Sequence, residues 1–169
     1  WVARRTQITI RSATSADSAF ISEELRQNWG GAEIWSLRRR YCADQLPALI
    51  ATILGEPVGL LTYTPPTSAH DCEVITLSSR LEDRGVGSRL LQAAADLARA
   101  AGCPRIFLTT TNDNTRAIGF YQREGWDLIA LHRGNVDDSR RHNPAIPLVG
   151  HLGIAIRDEL ELELPLSAR

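Results

Sequence analysis

The chain has no methionine, even at position 1, which suggests a trimmed or processed start. Cysteine is scarce. Cys42, Cys72 and Cys103 are odd in number and none stands in a C-x-x-C pair, so neither a disulfide framework nor a zinc cage is indicated. Charge of one sign is missing too: 19 basic against 20 acidic side chains give a net charge of −1. That balance exerts no general pull toward nucleic acid or anionic membrane. The longest basic run, Arg38-Arg39-Arg40, reads as a solvated face. No apolar stretch approaches the ~20 residues needed to span a bilayer, and no apolar signal core follows Trp1-Val2-Ala3-Arg4-Arg5. A reducing cytoplasm is the simplest compartment. Repeats, low-complexity tracts and Gly/Ser linkers are also lacking.

What remains is a chain of 169 residues with 43% hydrophobic and 23% charged residues, enough for one domain with its own core. Residues 7–11 alternate like a strand, and Phe20, Ile21, Leu25 and Asn28 follow Thr14 at helical spacing. A second short helix is expected over residues 34–42. Residues 48–54 and 58–63 flank Gly55-Glu56-Pro57 as a β-hairpin. Residues 72–77 form a further strand before a polar loop. A helix over residues 85–101 carries a buried stripe of Val86, Leu90, Ala94, Leu97 and Ala101, closed by Gly102. Strands follow at 105–111 and 126–132, separated by a short helix from Asn114 to Gly125. After a polar loop, Glu and Leu alternate over residues 159–164, as in a strand with one wet face. Helices interleave with strands around a central β-meander, which argues for a mixed sheet covered by helices.

Two motifs carry chemistry. The first is Glu82-Asp83-Arg84-Gly85-Val86-Gly87-Ser88, between a strand and a helix. Two glycines one residue apart let backbone approach a ligand, and the helix behind them points free N–H groups and its positive dipole end outward. Such a turn is an anion site, most often for phosphate. No G-x-x-x-x-G-K-[ST] string exists, and Leu90 occupies the third glycine's place of a G-x-G-x-x-G fingerprint. The pyrophosphate of coenzyme A and a plain helix cap stay open as readings. The second motif runs from Asn114 to Trp126. Asn114 caps a helix, Ala117 and Tyr121 share a face, and Phe120 can enter the core while Tyr121 lies along a cleft. A capped amphipathic helix with an aromatic anchor explains all of it except Gly119.

In this order and spacing the motifs resemble the GCN5-related N-acetyltransferase (GNAT) family. Its Q/R-x-x-G-x-G/A signature is matched by Glu82 to Gly87. Its N-x-x-A-x-x-F-Y-x-x-x-G-[FW] segment is matched by Asn114, Ala117, Phe120, Tyr121, Gly125 and Trp126. Glu82 stands where the family has Gln or Arg, with Arg80, Arg84 and Arg89 expected to offset its charge. The resemblance implies an α/β fold with a mixed, mostly antiparallel central sheet flanked by helices. It implies a single acyltransferase domain over residues 1–169, with a core of about 8–132 and a C-terminal extension, 133–169. Within it, the tail from Ile146-Pro147-Leu148-Val149-Gly150 through Gly153-Ile154 to Ile156-Arg157-Asp158-Glu159 resembles an extension found in a bacterial subgroup of the family, with Ala155 where Pro is expected.

The same resemblance implies transfer of acetyl from acetyl-CoA to a primary amine by direct attack, without metal. Thr76, Leu77, Glu82, Arg84, Gly85, Val86, Gly87, Ser88, Asn114 and Tyr121 would contact the cofactor. Backbone near Thr76 and Leu77 would hold the pantetheine arm and polarise the acyl carbonyl, and Tyr121 would protonate the leaving thiolate. Glu73 is the candidate base; a plain surface carboxylate is the alternative. Strand alternation sets His70 and Cys72 opposite Asp71 and Glu73, which argues against a catalytic cluster. Acceptor contacts are expected from Trp29, Glu33, Trp35 and Arg38–Arg40. A non-catalytic acyl-CoA sensor is the competing reading. The Glu/Leu strand could guard a sheet edge or pair across a homodimer.

Overall fold

A computed structural model of the protein describes residues 7–167; the terminal segment 1–5 considered above lies outside them. The first strand, β1 (Ile8–Ser12), leads into a tight turn at Ser15–Asp17. There the Asp17 carboxylate accepts the Thr14 backbone N–H at 2.8 Å and both Arg11 guanidinium nitrogens at 2.7 Å. Helix α1 (Ser18–Trp29) follows and ends at Gly30, whose φ of 78° takes up the left-handed C-terminal position.

Residues 34–42 are not helical. They belong to a hairpin, β2 (Glu33–Ser36) and β3 (Arg39–Cys42), outside the main sheet. Its two turn residues, Leu37 and Arg38, both have positive φ (48° and 63°). That is the backbone of a two-residue hairpin turn, built without its usual Asn or Gly. β4 (Ala48–Ile53) and β5 (Glu56–Tyr63) form the expected hairpin. β6 (Cys72–Ser79) and β7 (Arg105–Thr111) flank helix α2 (Val86–Ala100) in the chain. Helix α3 (Thr115–Arg123) precedes β8 (Asp127–His132). The loop expected after His132 contains a further helix, α4 (Asn135–His142), before β9 (Glu159–Pro165).

The seven-stranded sheet runs β1-β4-β5-β6-β7-β9-β8. Every pairing is antiparallel except β6 with β7. The Glu/Leu strand β9 is therefore interior; β8 is the edge. Glu159 and Glu161 are buried, satisfied by Leu37 N–H and Asn135 in one case and by Arg105 and His132 in the other. Alternation in a strand reports polarity, and here the polar face is paired rather than wet.

One apolar cluster lies under α2, with Leu61, Val74, Leu90, Ile106, Leu108 and Leu162 among its members. A second lies under α1, around Leu25, Ile50 and Leu60. The buried stripe of α2 is rotated from the expected one. It comprises Val86, Leu90, Leu91, Ala94, Ala95 and Ala98, while Leu97 is 39% exposed. Gly59 in β5 lets α2 seat this closely, since a Cβ there would stand 2.5 Å from Val86 Cγ1.

Candidate active site

The parallel pair β6–β7 sets the site. Its register extends only over Cys72–Val74 against Ile106–Leu108. Beyond Val74 and Leu108 the strands part, so the facing backbone of β6 has no strand partner there. A shift in register against β5 between Thr62 and Tyr63 leaves Ile75 out of that ladder as well. The result is a V-shaped gap in the middle of the sheet.

On the α2 side, along β6 from Leu77 onward, lies a cleft of about 530 Å³. Of the residues expected at the cofactor, Leu77, Glu82, Gly85, Val86, Gly87, Ser88, Asn114 and Tyr121 line it together. Thr76 and Arg84 do not. Thr76 is buried with its hydroxyl 2.6 Å from that of Thr62, and Arg84 stands exposed beside the turn. Phe120, Arg116, Arg123 and Glu124 also line the cleft, and no motif had singled out the last three.

The two glycines have separate reasons. Gly85 is the N-cap of α2 at φ 80°, a conformation costly for other residues, and no side chain caps the helix. The first-turn N–H groups of α2 therefore face the cleft without an intrahelical partner. Gly87 makes room for Phe120, whose Cζ would lie 3.1 Å from an added Cβ. Glu82 pairs with Arg116 at 2.9 Å on the exposed rim. This corrects the expectation placed on Arg80 and Arg89. Arg80 pairs with buried Glu24, and Arg89 donates to the Ile8 carbonyl at 3.1 Å.

Asn114 caps α3 by accepting the Ala117 N–H at 3.3 Å. That fixes the helix which carries Tyr121 to the cleft wall, next to Phe120 and Trp126. Burial pushes the Tyr121 hydroxyl up to about 12, so it holds its proton at neutral pH.

Glu73 lies on the opposite face of the sheet and is only 5% exposed. It is not a surface carboxylate. The β2–β3 hairpin covers it: Ser36 Oγ donates to Glu73 Oε1 and Tyr41 OH donates to Oε2 at 3.0 Å. Burial raises its pKa, opposed in part by these two hydrogen bonds. Ser36 Oγ lies 2.8 Å from Thr109 Oγ1, on the first residue of β7 past the fork. Ser36, Tyr41 and Thr109 escaped the sequence reading because a hairpin mistaken for a helix hides which side chains face the sheet.

Cys72 faces the α2 cluster, opposite Glu73, and burial pushes its thiol up to about 12. It is an inert core residue. Of the expected acceptor-side residues, Trp35 stacks on His142 at 4.8 Å, Glu33 accepts from Trp35 and Arg40, and Arg38 pairs with Asp138. Trp29 packs against the α1 core. Among the described residues, no group of three or more His, Cys, Asp or Glu side chains could hold a metal ion. No described helix is long and apolar enough to cross a membrane.

Solved structures share this architecture. A Bacillus subtilis acetyltransferase in complex with CoA superposes with a TM-score of 0.66 at 17% identity, covering 94% of this chain and 99% of that one. The acetyltransferase yncA from Salmonella typhimurium, described as putative and solved with acetyl-CoA, gives 0.67 at 20% identity over 96% of each chain. In sequence, the chain is 39% identical over 141 residues to the uncharacterized protein YdhI of Bacillus subtilis (strain 168), covering 83% of this chain and 87% of the relative. It is 36% identical over 143 residues to YxbD of the same organism, covering 84% and 89%. Residues 17–126, from the start of α1 through both motifs to Trp126, match the model of the acetyltransferase (GNAT) family. That match takes in β6 and β7, the glycine turn of α2 and the Asn114–Trp126 segment, and this chain belongs to the GNAT acetyltransferases.

Proposed function

We propose that the protein transfers acetyl from acetyl-CoA to the nitrogen of a primary amine. The observation that carries this reading is that Tyr121 and the open first turn of α2 face one cleft, whose β6 wall begins at Leu77, past the point where β6 and β7 part. The pyrophosphate sits on the N–H groups of Val86, Gly87 and Ser88, with the helix dipole behind them. Arg84 adds positive charge from the rim, and Asn114 borders the pantetheine path. The pantetheine arm lies along the unpaired edge of β6 at Thr76 and Leu77, whose backbone groups hold it and polarise the acyl carbonyl.

The amine enters as an ammonium ion, with a pKa of roughly 10, and must lose a proton to attack. Glu73 takes that proton; its raised pKa makes it a better base than an exposed glutamate. The C–N bond then forms, the C–S bond breaks, and the thiolate leaves. Tyr121 gives the sulfur its proton and recovers one from the nitrogen, so the products are the amide and free CoA thiol. Moving a proton from a hydroxyl at about 12 to a thiolate at about 8.5 is uphill by roughly 5 kcal/mol. Tyr121 therefore transfers its proton as the C–S bond breaks, not before. β9, from the 133–169 segment, lies between β7 and β8, which favours one working unit over the whole chain. Free Cys42, Cys72 and Cys103 suit a reducing cytoplasm.

Thiol release from acetyl-CoA, measured across a panel of primary amines, tests the reading. Tyr121→Phe is expected to lower kcat by roughly 100-fold while keeping acetyl-CoA affinity. Cofactor binding with no amine-dependent thiol release would favour the sensor reading instead.

A further inference from the structure

Glu73 presents a difficulty for any direct proton transfer. Both of its carboxylate oxygens are already hydrogen-bonded, and the hairpin covers it. Ser36, the link on Oε1, is equally sealed at 4% exposure. Thr109, the next link, is half-buried and stands where β7 leaves β6, at the fork of the gap. With Glu73 ionised, the hydrogens in this chain have one consistent order. Ser36 has a single hydroxyl hydrogen and spends it on the carboxylate, which can only accept. Thr109 must then donate to Ser36 Oγ, which leaves the lone pairs of Thr109 Oγ1 to face an incoming N–H.

We propose that Thr109 and Ser36 form a two-hydroxyl relay that carries the acceptor's proton to Glu73, so that the amine meets Thr109 and not the carboxylate. This rests on the reading of Glu73 as base. In the step, an N–H bond of the ammonium breaks as Thr109 Oγ1 takes the proton. Thr109 passes its own hydrogen to Ser36 Oγ, and Ser36 passes its own to Glu73 Oε1. An ammonium and a carboxylate become an amine and a carboxylic acid, with both hydroxyls intact and reversed. After product leaves, the reverse passage returns the proton to water. The charged or titratable groups around Glu73 are Arg39 and Tyr41 of β3, Glu159 of β9 and, on the other face of its own strand, Cys72. None of them lies between Glu73 and Thr109 in the hydrogen-bonded chain. Tyr41, also half-buried, is the rival outlet through Oε2.

The test compares two nucleophiles in thiol release from acetyl-CoA: n-butylamine, which must be deprotonated, and hydroxylamine, which is already neutral at pH 7. The readout is the ratio of their kcat/KM values. Glu73→Gln, Thr109→Val and Ser36→Ala are each expected to lower the butylamine-to-hydroxylamine ratio by roughly 10- to 100-fold at pH 7. The defect should shrink as pH approaches the pKa of the amine, and Thr109→Ser should restore the ratio. A merely structural role for Thr109 would lower both rates together. A normal ratio in Thr109→Val with a lowered one in Glu73→Gln overturns the relay and leaves the base in place. So does a ratio lowered by Tyr41→Phe and not by Thr109→Val. An unchanged ratio in Glu73→Gln, or no butylamine reaction in the unaltered protein, overturns the base reading and the relay with it.

Discussion

Replacing Gly59 by alanine perturbs the candidate cleft from beneath, without touching it. An added Cβ would stand 2.5 Å from Val86 Cγ1, 3.1 Å from Leu90 Cδ1 and 3.2 Å from the Ser78 carbonyl oxygen. Carbon atoms pack at about 3.5–4.0 Å, so roughly 1 Å must be found. Val86 cannot swing aside: it is β-branched, in the first turn of a helix, and buried. The first turn of α2 must therefore lift. Overpacking of this kind costs about 1–3 kcal/mol, and replacing a strand glycine returns some of that through the unfolded chain. A net loss of about 1–2 kcal/mol corresponds to a fall in Tm of roughly 2–8 °C for a chain of this size. Val86 and Gly87 also line the cleft, so their N–H groups move with the helix. Acetyl-CoA affinity is expected to drop roughly tenfold, equivalent to about 1.4 kcal/mol. Thermal unfolding followed by circular dichroism and calorimetric titration read the two effects. A Gly59→Ala protein with unaltered Tm and affinity would refute the idea that Gly59 seats α2 and sets the height of its first turn.

Other substitutions separate the remaining contributions. Gly85→Ala meets no neighbour within 4 Å but must adopt φ near 80°, so urea unfolding should show a loss of about 1–2 kcal/mol, with Gly85→Asn losing less. Equal loss in both would point away from backbone strain. The pH dependence of stability has a defined sign. Burial raises the carboxyl pKa of Glu73 and Glu159, so the folded state holds these protons longer than the unfolded chain. Their contribution to stability therefore falls as pH rises from about 4.3 through their raised values. Glu73→Gln should flatten the drop in urea midpoint over that window; a steeper drop would contradict it. Asp17, held well below the usual carboxylate range by Arg11, acts in the other direction: its contribution is lost as pH falls. Cys72→Ala should keep turnover within about twofold, since a buried thiol with a pKa pushed up to about 12 supplies no nucleophile at neutral pH. Loss of activity with an intact fold would reinstate the thiol.

The α2 side of the candidate site was largely legible in the sequence, because its signals are local. A glycine turn opening an apolar-striped helix and an Asn-capped helix with Phe120 and Tyr121 each report their own geometry. The opposite face of the sheet was not. Leu37 and Arg38 form a turn in positive φ without Gly or Asn, so the β2–β3 hairpin sends no turn signal and resembles a short helix. With the hairpin unseen, Ser36, Tyr41 and Thr109 could not be placed around Glu73. Helix α4 has one apolar residue, Val136, among polar ones. It is held by side chains distant in sequence, Asn135 on Glu159 and Arg38 on Asp138. The glutamates of β9 look solvated in sequence and are buried because Arg105, His132 and Asn135 come to them from other elements. Pairing across the fold leaves no periodicity to read.

Calorimetric titration of the purified protein with acetyl-CoA, with ATP and NAD as controls, tests the cofactor assignment most directly. Saturable binding of acetyl-CoA with a Kd of roughly micromolar order, about −8 kcal/mol, and none of ATP or NAD, is expected. No heat with millimolar acetyl-CoA, or preference for either nucleotide, would contradict it.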